Sequence, residues 1–180
     1  MVLITGGARV GKTKMAINIC KKLGNRVLYI AASAPSEDAF DKERIRRSRK
    51  QRPFNWELKE AYLNLGTLLS EVGGQYDAIL IENLSTLVSS LIEHYGYSEA
   101  NNNLRQVERA IVEDVNSLTS AARRIPAMVV LVTNEVDICP PSADSSTKAL
   151  MEILGRVNQQ VAALSSEVHI VFSGIPLRIK

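Results

Sequence analysis

Gly6, Gly11, Lys12 and Thr13 are the residues of this chain whose types and spacing can do chemistry. The stretch Gly6-Gly7-Ala8-Arg9-Val10-Gly11-Lys12-Thr13 reads G-x-x-x-x-G-K-T, the phosphate-binding P-loop pattern. Each residue type has a physical reason. Gly6 and Gly11 permit backbone angles that a Cβ would forbid, so successive N–H groups can converge on phosphate oxygens. A helix starting at Lys12 adds free N–H groups and a favourable dipole at its N-terminus. Lys12 is expected to reach the β- and γ-phosphates, and the Thr13 hydroxyl to hold Mg²⁺. A second candidate is Glu82, the acid at the end of an apolar run. It can orient Mg²⁺ and its water shell, or cap the helix that begins near Leu84. The chain is therefore expected to bind a nucleoside triphosphate or diphosphate, with ATP or GTP and Mg²⁺ as the expected cofactors.

The elements that must position these residues alternate between strand and helix. Val2 to Thr5 is an apolar strand feeding the glycine turn, and a helix pattern runs from Lys12 to Leu23. Val27 to Ala31 and Asp77 to Glu82 are continuous apolar strands, as parallel interior strands are, and so is Val129 to Val136. Between them, helices are expected over 37–50 (ended by Pro53), 64–72, 84–95 and 103–123. Ala32 to Ser36 forms a small-residue loop at the C-terminal end of its strand, where ligands sit in open α/β sheets. A loop over 137–146 precedes a final helix over 146–164. The chain ends in a hairpin, Val168 to Gly174 and Leu177 to Lys180, with its turn placed at Ile175-Pro176 and its last strand antiparallel at one edge. No repeat or linker divides the chain, so residues 1–180 are expected to form a single nucleotide-binding domain.

Composition excludes several classes. With 180 residues, 46% of them hydrophobic, the chain can bury a core without disulfides or metal. Cys20 and Cys139 have no paired spacing and read as ordinary thiols. No apolar run reaches the roughly 20 residues of a membrane span, and the first residues enter a core strand directly, so a cytoplasmic protein without a signal peptide is expected. The net charge of +3 hides a dense basic run from Lys42 to Arg52. Aromatic interleaving is absent there apart from Phe54 and Trp56, which argues against a nucleic-acid partner. Trp56 is expected to pack. His94 and His169 have no neighbours at metal-ligand spacing and are assigned structural roles.

These segments resemble the bifunctional adenosylcobinamide kinase / adenosylcobinamide-phosphate guanylyltransferases of cobalamin assembly. The resemblance starts with Ile4 to Thr13, similar to that family's TGGARSGKS opening. It runs on through Val27 to Ala31, Arg44-Ile45, Arg52-Pro53, Trp56, Glu60 and Leu80 to Glu82. Val130 to Val136, Gly155-Arg156-Val157-Asn158-Gln159 and Ser173 to Lys180 complete it in collinear order. The resemblance implies a RecA-like P-loop fold with helices on both faces of a mostly parallel sheet, assembled as a homotrimer. It also implies two reactions. A nucleoside triphosphate phosphorylates the aminopropanol hydroxyl of adenosylcobinamide, and GMP from GTP is then joined to that phosphate. By similarity the nucleotide-contacting positions are Gly6, Gly7, Ala8, Arg9, Val10, Gly11, Lys12, Thr13, Ala31, Ala32, Ser33, Arg49, Lys50, Gln51, Arg52, Glu60 and Glu82.

Two departures bear on the second reaction. The family's guanylylated histidine lies in a pattern like R-I-x-x-H-x-x-x-R-P, and here Ser48 stands in its place, between Arg44-Ile45 and Arg52-Pro53. A serine hydroxyl is nearly un-ionised at neutral pH and needs a base, whereas an imidazole does not. The family's glycine-containing loop after the Asn-Glu-Val run is replaced by Asp137-Ile138-Cys139-Pro140-Pro141, whose prolines remove backbone donors. The main expectation is a kinase-type phosphotransferase that has lost guanylyl transfer. A fully bifunctional enzyme and a non-catalytic nucleotide-binding paralogue are the alternatives.

Overall fold

The P-loop strand β1 (Val2–Gly6) lies inside a seven-stranded sheet of order β3-β2-β4-β5-β1-β6-β7. This computed structural model describes residues 1–35, 52–136 and 145–180. The other strands are β2 (Val27–Ala31), β3 (Glu57–Glu60), β4 (Ala78–Glu82), β5 (Met128–Val132), β6 (Glu167–Phe172) and β7 (Ile175–Arg178). Every pairing is parallel except β6 with β7. The helices are α1 (Lys12–Leu23), α2 (Leu65–Val72), α3 (Leu84–His94), α4 (Leu104–Arg124) and α5 (Ser145–Leu164). Among the described residues no helix is long and apolar enough to cross a membrane.

Strand parity divides the core in two. Val2, Ile4, Val27, Tyr29, Leu80, Val130 and Val132 point to the face covered by Ala16, Ile17 and Cys20 of α1. Leu3, Leu28, Ile30, Ile79, Ile81, Val129 and Leu131 point to the opposite face, where they meet residues of α2, α3, α4 and α5. Burial on both faces is why these strands read as unbroken apolar runs. It also makes them the main source of stability, at about 1.5–3 kcal/mol per fully buried aliphatic side chain. Helix α4 shows the one-sided pattern instead, burying Val107, Ile111, Val115 and Leu118 along a single stripe. Trp56 is buried with the α1-side cluster, as expected of a packing residue. Burial pushes the Cys20 thiol up to about 12, so it stays protonated.

Three expectations need correction. The C-terminal turn falls at Ser173-Gly174, not at Ile175-Pro176. Ser173 (φ 48°) and Gly174 (φ 85°) both adopt positive φ, the two-residue hairpin geometry that matches strand twist. Ile175 and Pro176 instead open β7, where Pro176 pairs with Val171 on an edge strand that tolerates a missing N–H. Strand β5 ends at Val132 rather than Val136. Beyond it the chain keeps two backbone bonds to β1, Thr133 N to Ile4 O and Glu135 N to Gly6 O. Strand β3 was not foreseen. Glu57 to Glu60 is polar and mostly exposed, and its β-structure comes from pairing along β2 at the sheet edge. The expected helix over 37–50 and most of the 137–146 loop lie outside the described residues.

Candidate functional site

The P-loop closes over its own lysine. Arg9 (φ 58°) and Gly11 (φ 101°) take left-handed angles, which turn the loop tightly between β1 and α1. Lys12 is buried, and its Nζ donates to Gly6 O at 3.0 Å and Gly7 O at 2.5 Å. An ammonium has three donors, so one more can be offered to an anion. Burial pulls the Lys12 pKa below its ordinary value, and the Glu82 carboxylate pulls it partly back.

Gly6 has no room for a side chain. Its φ is 142°, and a Cβ there would lie 2.5 Å from the Val171 carbonyl oxygen on β6. The β6–β7 turn also touches the loop directly, with Gly174 N donating to Val10 O at 2.9 Å. The phosphate loop is thus braced from the C-terminal hairpin.

Glu82 sits at the C-terminal end of β4, beside the start of α1. The Thr13 hydroxyl donates to its Oε1, and the Tyr29 hydroxyl donates to Oε2 at 2.5 Å. The cap of α3 is a different residue: Asn83 accepts from Thr86 N at 2.9 Å in a capping box. Glu82 is therefore not the helix cap, and its carboxylate is bonded to the P-loop threonine instead.

These groups line a cleft of about 850 Å³. Ala8, Arg9, Val10, Gly11, Lys12, Thr13 and Glu82 line it, together with Lys14, Ile17, Asn18 and Lys21 along α1, and Asn83, Val132 and Asn134. Arg9, Lys14 and Lys21, with Lys12, face a single carboxylate among the described lining residues, an excess suited to a polyanion.

The family-like segments Thr133-Asn134-Glu135 and Asn158 are tied together behind the cleft. Thr133 Oγ1 donates to Asn158 Oδ1 at 2.7 Å, and Asn158 Nδ2 donates to Asn134 O at 2.8 Å. Thr5 Oγ1 donates to Glu135 Oε2 at 3.1 Å. Asn158 is buried, so its amide replaces water for the strand end it holds.

The other expected site residues fall outside this cleft. Ala31 pairs with both Glu60 and Glu82, and Ala32 N donates to Glu82 O at 3.0 Å. Ala31, Ala32 and Ser33 therefore flank the end of β4 without lining the cleft. Glu60 is exposed, one strand further out on β3. Arg52 stacks its guanidinium 5.1 Å from the centroid of the Tyr29 ring. Ser48, Arg49, Lys50 and Gln51 lie outside the described residues. His94 packs edge-on to Tyr62 and Tyr95, and His169 lies 3.2 Å from Glu167, both away from the cleft. Sequence reasoning missed Tyr29, Lys14, Lys21 and Asn134. Period-two parity, placing Tyr29 on the face of Leu80 and Glu82, was the signal for the first.

Comparison with known proteins agrees with this geometry. The family model for cobinamide kinase / cobinamide phosphate guanyltransferase matches residues 2–179. The bifunctional adenosylcobalamin biosynthesis protein CobU of Escherichia coli strain K12 is 37% identical over 182 residues, covering 100% of this chain and 99% of that protein. The protein of the same name from Salmonella typhimurium is 38% identical over 187 residues, with 100% and 99% covered. The Pseudomonas aeruginosa bifunctional protein CobP is 25% identical over 178 residues, with 99% and 96% covered. Among solved structures, an ATPase from a bacterial type III secretion system superposes with a TM-score of 0.55 at 10% identity. It covers 95% of this chain and 50% of its own, a likeness of fold alone. With the family model spanning the sheet from its first strand to its last, the chain belongs to the cobinamide kinase / cobinamide phosphate guanyltransferase family.

Proposed function

We propose that this protein carries out both reactions of its family in the cytoplasm, phosphorylating a cobinamide-type corrinoid and then joining GMP to the new phosphate. The observation that supports it most is the P-loop constellation, Lys12 held by Gly6 and Gly7 with Thr13 and Glu82 joined beside it. In the first step the substrate hydroxyl oxygen attacks the γ-phosphorus of ATP or GTP, and its proton passes to water. The bond to the β-bridging oxygen breaks, and a nucleoside diphosphate leaves. Lys12 offsets charge on the β- and γ-oxygens, and the loop N–H groups hold them in line. Thr13 and Glu82 offer hard oxygen donors at one point, a set that fits Mg²⁺ bound through water and phosphate. When bound, that ion neutralises the triphosphate.

Glu82→Gln tests this assignment. The variant keeps size but loses the charge and one of the two acceptor oxygens. We expect the Mg²⁺ concentration for half-maximal nucleotide binding to rise about tenfold, with a much smaller change in melting temperature. A collapse of stability with unaltered Mg²⁺ dependence would give Glu82 a structural role only.

For the second step the full-length bifunctional relatives favour guanylyl transfer over its loss, and Ser48 favours a route without a protein nucleophile. Its neighbours in the chain, Arg47 and Arg49, cannot serve as bases, because arginine stays protonated. General-base help is worth about 10²–10⁴-fold. We therefore assign a direct displacement. A phosphate oxygen of the phosphorylated corrinoid attacks the α-phosphorus of GTP, the α–β bridge breaks, and pyrophosphate leaves. Incubation with adenosylcobinamide, ATP, GTP and Mg²⁺ should yield the phosphate and then the GDP-linked product by mass. Labelled GTP should leave no covalent GMP on the protein. Covalent label at any residue would overturn the direct route. A phosphorylated corrinoid with no GDP-linked product would reduce the protein to a kinase.

Family resemblance further supports assembly as a homotrimer. The exposed Phe172, Ile175, Leu177 and Ile179 of the C-terminal hairpin region offer an apolar edge for a subunit contact.

A further inference from the structure

Tyr29 has no assigned role beyond a strand position, yet it touches two charged groups beside the cleft. The β2–β4 register pairs Tyr29 with Leu80 and Ala31 with Glu82. Tyr29 and Glu82 are thus diagonal neighbours on one face, about 7–8 Å apart at the backbone. Most side chains cannot bridge that gap, but a phenol can. Its hydroxyl reaches Glu82 Oε2 at 2.5 Å, a charge-assisted bond, while Oε1 takes the Thr13 hydroxyl. The ring is 4% exposed, so it is held by the core rather than by the ligand.

The ring also carries Arg52, whose Cζ lies 5.1 Å from its centroid. The negative face of the ring attracts a guanidinium. Arg52 Nη1 is buried and has no hydrogen-bond partner among the described residues. A buried donor left unmade is costly.

We propose that Tyr29 is a positioning residue that sets the Glu82 carboxylate with its hydroxyl and holds the Arg52 guanidinium with its face, next to the cleft that takes the nucleotide. The inference rests on the reading that this cleft takes a Mg²⁺-triphosphate. It joins three segments distant in sequence, the ends of β2 and β4 and the chain entering β3, into one unit. Glu82 is pinned at one oxygen, so its other oxygen stays turned to Thr13.

Calorimetric binding of ATP and GTP, with Mg²⁺ titrated and in EDTA, separates the two contacts. Tyr29→Phe removes the hydroxyl and keeps the ring. The Mg²⁺ needed for half-maximal binding should rise about tenfold, while affinity in EDTA stays at the wild-type value. Tyr29→Leu removes the stack as well, so affinity in EDTA should fall to that of Arg52→Ala. On a Glu82→Gln background Tyr29→Phe should add little, because both act on one carboxylate. A Tyr29→Phe protein with the wild-type Mg²⁺ profile, or one whose effect adds in full to Glu82→Gln, overturns the inference. The Phe variant decides alone if Tyr29→Leu does not fold. If Lys12→Ala binds triphosphate as tightly as wild type, the underlying reading of the cleft fails, and this inference with it. If Lys12→Ala loses binding and Tyr29→Phe changes nothing, only the inference fails.

Discussion

Lys12→Ala should lower phosphoryl-transfer turnover by about 10²–10³-fold, the usual cost of removing one preorganised donor from a developing phosphate charge. Triphosphate affinity should fall at least about tenfold, since hydrogen bonds to charged groups are worth about 1.5–3 kcal/mol. The fold itself should survive. Lys12 lines the cleft, where water can take the place of the ammonium that now satisfies the Gly6 and Gly7 carbonyls. Calorimetry gives the affinity, single-turnover kinetics the rate, and a melting curve the stability. Lys12→Arg is the useful companion. It keeps the charge, but its planar fork does not fit a position shaped for a point charge within 3.0 Å of two carbonyls, so turnover should stay low. Unchanged affinity in Lys12→Ala would mean that the phosphates sit elsewhere.

Gly6→Ala should damage both the sheet and the phosphate loop. The backbone there has φ of 142°, a region in which an L-residue costs about 1–3 kcal/mol. The new Cβ would also press on the Val171 carbonyl at 2.5 Å, and a backbone atom in a sheet cannot swing aside. Either β6 shifts from β1 or the loop re-forms, and both disturb the path to Lys12. With about 2–4 °C of melting temperature per kcal/mol for a chain of this size, a loss of about 5–10 °C is expected, together with weakened nucleotide binding. Gly7→Ala is the control. A Cβ there meets only Val10 at 3.6 Å, an ordinary contact, so stability should hold. Equal melting temperatures for both variants would refute the proposed crowding.

Much of this was legible in the residues because local signals and tertiary demands coincide. The P-loop strand, turn and helix sit where the glycines, the lysine and the apolar run put them, and α4 follows its stripe of Val107, Ile111, Val115 and Leu118. What escaped was decided by partners far away in the chain. Strand β3 has no apolar alternation of its own and exists because β2 offers an edge. The hairpin turn went to Ser173-Gly174 because backbone handedness, not the presence of a proline, selects a two-residue loop. At the site, Lys12, Thr13 and Glu82 announced themselves by type. Tyr29 did not, because a tyrosine in an apolar strand looks like core until the register shows which carboxylate lies diagonal to it.

The position of β1 sets an order of events during synthesis. Its two neighbours are β5 and β6, with Val2 paired to Val130 on one side and to Glu167 on the other. A ribosome therefore delivers the phosphate loop long before the strands that hold it, and the loop's last brace, Gly174 against Val10, emerges later still. Contacts this distant in sequence are slow to close. Until then the apolar first strand is an unpaired edge of the kind that aggregates. A nascent chain should thus remain blind to nucleotide through most of its elongation, becoming protected by ATP or GTP only once the final hairpin has been made.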